Sequence, residues 1–161
     1  MVKAAALMRL FVKTFVLFSL YKTLRCQPTA TMSNEARTIL HEHYRSQLEL
    51  FAVLARHVLK LGGGCSANLA PIIRSIDAFD AQRRTCAADL LRVLLAAHQT
   101  VLAETRALTS ASLALRTPGT AEIVGLIAQT NELQIRIVAG QLTSGGHARS
   151  GTRRAGFVRP A

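Results

Sequence analysis

The chain of 161 residues has no tryptophan, four prolines and three cysteines, and aromatic residues make up only 5% of it. Each scarcity excludes something. Cys26, Cys65 and Cys86 are odd in number and form no Cys-x-x-Cys pair, so neither a disulfide framework nor a zinc spacing follows. Half the residues are hydrophobic, with alanine and leucine dominant, and that composition favours packed helices over a sheet. Long uncharged runs are missing too. Lys3 is followed by an apolar stretch to Tyr21, but Arg9 and Lys13 interrupt it. What remains, residues 14–21, is short for a signal-peptide core and far below the roughly 20 apolar residues of a membrane span. A first helix in a reducing cytoplasm is the expectation. No Gly-x-Gly-x-x-Gly, P-loop or Glu-x-x-His occurs, and no Ser-His-acid or cysteine arrangement points to nucleophilic catalysis.

Acid is scarce as well: nine Asp and Glu stand against twenty Lys and Arg, a net charge of +11. The excess is uneven. Residues 1–26 carry Lys3, Arg9, Lys13, Lys22 and Arg25, and residues 143–161 carry Arg149, Arg153, Arg154 and Arg159, with no acid in either stretch. The middle is nearly neutral. A basic end on a neutral body suits a polyanion such as DNA, or else an anionic membrane.

What is present is helical periodicity. Residues 4–24 place Leu7, Leu10, Phe11, Phe15, Phe18 and Tyr21 on one face. Residues 26–33, with Pro28, read as a connection. Residues 34–61 read as a second helix with Leu40, Tyr44, Leu48, Phe51, Ala55 and Val58 inward, Ser33 as N-cap, and Gly62-Gly63-Gly64 as the stop. Residues 66–79 read as a short helix in the following connection. Residues 85–114 form a third long helix with Leu90, Leu94, Ala97, Val101, Thr105 and Leu108 inward. After the break at Pro118-Gly119 and a capping Thr120, residues 120–142 form the fourth, through Ile123, Ile127, Asn131, Gln134 and Ile137-Val138. From Thr143 the Ser, Gly and Arg content predicts a disordered tail. The fold class is therefore all-α: a four-helix bundle over residues 1–142 with one crossover, and a basic tail over 143–161.

Several fragments resemble one family in order. Phe15-Val16-Leu17-Phe18 with Lys22-Thr23 is similar to the first-helix pattern FVLYLKT of the Dps proteins, the small ferritin-like DNA-binding and iron-storage family. The run from Ala55 to Gly63 resembles its AERIxxLGG, Arg106-Ala107-Leu108 matches an LR pair, Pro118 to Ile123 resembles xGTADLL, and Asn131-Glu132 takes the place of HEK. The resemblance covers the chain up to the tail. It implies a ferritin-like bundle, a twelve-subunit homo-oligomer, oxidation and storage of iron, and DNA binding through basic extensions near the nucleoid. The expected DNA contacts here are Arg149, Arg153, Arg154 and Arg159.

The departures matter as much. The family takes iron with two histidines, an aspartate and a glutamate shared between subunits. Those places fall near Arg25 to Gln27, near Arg37, at Ala52 and at Arg56. Iron needs oxygen and imidazole ligands, which Ala52 does not offer. A guanidinium about 4 Å from the metal costs about 4 kcal/mol per unit of metal charge at an effective dielectric near 20. No catalytic or metal residue is carried over, and iron stands as implied by the family only. His41 and His43 are two apart and face away from each other on a helix; His57 sits beside Arg56; His98 lies between Leu94 and Leu102; each is expected to be a satisfied or exposed histidine, and His147 to add charge to the tail. Glu122 and Glu132 are expected as exposed carboxylates. The favoured expectation is a DNA-shielding Dps-like oligomer with iron chemistry weakened or lost. The runner-up is a silent subunit co-assembling with an active Dps, and a decayed product is a third.

Overall fold

The computed structural model describes residues 2–25, 33–61, 87–110 and 119–150. All but their connecting ends are helical: α1 (Val2–Arg25), α2 (Asn34–Lys60), α3 (Ala87–Ser110) and α4 (Thr120–Ser150). The expected short helix at 66–79, the glycine stop, Pro28, Pro118 and all three cysteines lie outside the described residues, as do residues 151–161.

Local chemistry explains the ends. Ser33 caps α2 in an extended conformation, its side chain accepting from the Ala36 amide at 3.1 Å, and Glu35 adds negative charge at the positive end of the dipole. Lys60 complements the other end. Gly119 precedes α4 with φ +80, a left-handed conformation that glycine takes without steric cost. The capping role expected of Thr120 takes another form: its hydroxyl meets His57 Nε2 of α2 at 2.7 Å. Helix α4 runs to Ser150, eight residues past the expected end at 142, so Arg149 falls in its last turn.

Side-chain contacts give the direction of each helix. Phe11 stacks on Phe51 and Phe18 on Tyr44, so α1 and α2 are antiparallel. Arg9 and Lys13 reach Glu104 while Tyr21 reaches His98, so α1 and α3 are antiparallel. His57 meets Thr120 and Gln47 meets Gln134, so α2 and α4 are antiparallel. Helices α2 and α3 therefore point the same way, and the end of α2 and the start of α3 lie at opposite ends of the bundle. Among the described residues no helix is long and apolar enough to cross a membrane.

The core runs down the middle through Leu7, Leu10, Leu17, Leu54, Leu94, Leu108 and Ile127. On α2 the inward line differs from the one the hydropathy pattern suggests. Leu40, His43, Gln47, Leu50, Leu54 and Val58 are buried, whereas Leu48 is 42% exposed. Tyr44, Phe51 and Ala55 sit half-buried at the edge, where Phe15, Phe18, Phe51 and Tyr44 stack between α1 and α2.

Candidate functional site

The polar residues inside the bundle are joined into one chain. His43 Nδ1 lies 2.9 Å from Tyr21 Oη, Tyr21 Oη lies 2.6 Å from His98 Nε2, and His98 Nδ1 lies 2.7 Å from Asn131 Oδ1. Asn131 Nδ2 then donates to the Ile127 carbonyl at 2.7 Å. Each of the four helices supplies one member. Tyr21, His98 and Asn131 are fully buried and His43 is 6% exposed.

The last bond orders all the others. Because the Asn131 amide donates to a backbone carbonyl, its oxygen faces His98, and His98 Nδ1 must carry the proton. His98 Nε2 is then an acceptor, so Tyr21 O–H donates to it. That leaves the Tyr21 oxygen to accept from His43 Nδ1–H. The chain runs in one direction from His43 to a helix carbonyl, with every internal donor and acceptor used once. Burial depresses both histidines to about 4, with the Asn131 bond pulling His98 back up and His43 pushing it further down. Burial also drives the Tyr21 hydroxyl well above its ordinary value. All three groups are held neutral at pH 7.

A second pair adjoins it. Gln47, one turn from His43, donates to Gln134, near Asn131 on α4, at 2.6 Å. Gln47 Oε1 is the one fully buried side-chain polar atom without a partner among the described residues. Nearer the opposite end, Glu104 is 8% exposed and receives Lys13 at 2.7 Å and Arg9 at 3.0 Å, tying α1 to α3. Burial raises Glu104, but the two cations outweigh that and hold it below the usual carboxylate value.

These groups can hold a fold in register; they do not form a metal centre. Among the described residues no three His, Cys, Asp or Glu side chains gather where they could hold a metal ion. The residues that the resemblance sets at or near iron-ligand places, Arg25, Arg37, Ala52 and Arg56, are all exposed. Arg37 is bonded to Asn34, and Arg25 lies over the Tyr44 ring at 4.3 Å. Neither the alanine nor the guanidinium groups fit iron. His41 is exposed and His43 buried, so the two side chains lie on different sides of α2. Of the tail arginines, Arg149 belongs to α4 by its backbone, and Arg153, Arg154 and Arg159 lie outside the described residues. The helical period places Tyr21 inward, whereas Gln47 and Glu104 read from the sequence as surface residues. The available signal was a polar residue at a position the helical period turns inward.

Comparison with known proteins gives no matching family, no matching curated protein and no matching solved structure.

Proposed function

We propose that this is a Dps-like protein of the ferritin superfamily that assembles as a homo-oligomer and shields DNA, having lost the family's iron chemistry. The observation that carries this reading is the polarity of the bundle. Helices α2 and α3 point the same way, as the second and third helices of ferritin-like bundles do, and this supports the reading. The exposed Arg56 and Ala52, where the family has carboxylates, support the loss of iron oxidation. Fe(II) mixed with peroxide and this protein is expected to oxidise no faster than in buffer. A clearly faster stopped-flow trace would contradict the loss.

DNA enters through Arg149, Arg153, Arg154 and Arg159, each neutralising one phosphate in a salt-dependent, sequence-independent way. Many copies on one shell raise the effective concentration of the tails. Truncation after Ser150 removes three of the four arginines and leaves α4 whole. The slope of log affinity against log salt for duplex DNA is expected to fall in magnitude by about 3. An unchanged slope would move the DNA contact off the tail, and co-assembly with an active Dps would become the better reading.

A further inference from the structure

We propose that the outer face of α4 is a self-complementary docking surface for a second copy of this chain, placed antiparallel across a two-fold axis at Gln129. Glu122, Leu126, Gln129, Leu133, Arg136 and Gly140 recur at alternating spacings of four and three, and every one of them is exposed. That spacing is the seam of a helix that packs on another helix. Here the seam faces away from the core, which α4 fills with Val124, Ile127, Asn131, Gln134 and Val138 instead.

The residues on the seam match their own reverse. Leu126 and Leu133 are 46% and 56% exposed, large apolar side chains in the middle of the stripe. Glu122 and Arg136 flank them, and neither makes an ion pair or hydrogen bond to another described residue. With a second α4 running the opposite way, Leu126 comes level with Leu133 of the second copy to within one residue's rise of about 1.5 Å. Glu122 then comes level with Arg136 of the second copy, and the symmetry repeats both contacts. A parallel pairing would put Glu122 beside Glu122 and Arg136 beside Arg136, so the charges select the antiparallel one. A Cβ placed at Gly125 or Gly140 would meet nothing within 4 Å, so both leave open space beside the seam.

One helix face against another buries little, about 1,200 Å² or less in total, which sets the association at the weak end of specific interfaces. This contact goes beyond the DNA-shielding reading and does not depend on it.

The test is sedimentation velocity of the full chain across the micromolar range. Wild type is expected to self-associate, and Glu122→Arg alone or Arg136→Glu alone to weaken that association by about tenfold, because each creates two like-charge contacts. An equimolar mixture of the two variants is expected to associate as wild type does, since in the mixed dimer one contact pairs the introduced cation with the introduced anion and the other keeps the native Glu122–Arg136 pair. Gln129→Cys is expected to form on mild oxidation a dimer joined at position 129 of both copies, distinguished by peptide mapping from any dimer joined through Cys26, Cys65 or Cys86. All substituted positions are exposed, so the fold is not at stake. Association indifferent to the single substitutions, or a mixture no better than either variant, would overturn the proposal, as would a wild type that stays monomeric. The outcomes also separate the two readings. A twelve-subunit shell untouched by these substitutions would overturn the α4 contact alone. A charge-dependent dimer that goes no further would overturn the shell alone.

Discussion

Replacing His98 by alanine is expected to lower the stability of the bundle by about 3–5 kcal/mol at pH 7, a large share of the roughly 5–15 kcal/mol that holds a domain folded. The substitution removes a fully buried ring and leaves a cavity between α1, α3 and α4. It also strands the Tyr21 hydroxyl and the Asn131 oxygen, each at the cost of an unsatisfied buried polar group, about 1–3 kcal/mol. Tyr21→Phe is expected to cost less, about 2 kcal/mol, because no cavity forms and two ring nitrogens lose one shared partner. Urea unfolding followed by circular dichroism measures both. A Tyr21→Phe or a His98→Ala variant as stable as wild type would mean the chain of bonds is not holding the helices in register.

Acid is expected to destabilise the bundle mainly between pH 6.5 and about 4. His98 is held down to about 4 by burial, against an ordinary value of 6.5. The unfolded chain therefore binds its proton first as pH falls, and stability is lost through that window and levels off below it. His98 alone accounts for roughly 3 kcal/mol of this, and His43, nearer the surface, adds less. Glu104 acts in the same direction at lower pH. Its carboxyl lies below the usual value, so its pairing with Lys13 and Arg9 is present above the unfolded carboxylate range and lost as pH falls through the folded one. A His98→Gln variant keeps hydrogen-bonding capacity but cannot titrate. Its stability measured by urea midpoint is expected to fall much less between pH 6.5 and 4. A wild-type profile that is flat over that range would contradict the neutral, one-directional chain.

The apolar period was enough to place four helices to within a few residues at most ends, since Leu7, Leu10, Leu90, Leu94 and Val138 do face the core. It failed on α2, where hydropathy drew the stripe through Tyr44 and Leu48. The line that points inward carries His43 and Gln47, which look like surface residues until their partners are known. Those partners come from α1 and α4, more than twenty residues away in one case and more than eighty in the other, so no local pattern reveals them. His98 was legible only as a histidine between two leucines; that it accepts from Tyr21 and donates to Asn131 depends on how three helices meet. The end of α4 was misplaced because glycine and serine near 144–146 lower helix propensity without forbidding a helix.

The native mass of the full chain by light scattering tests the central claim most directly. The account predicts a mass near twelve times the 17.4 kDa of one chain. A monomer or dimer at every concentration would contradict it, because shielding by a shell and the avidity of many tails both require the assembly.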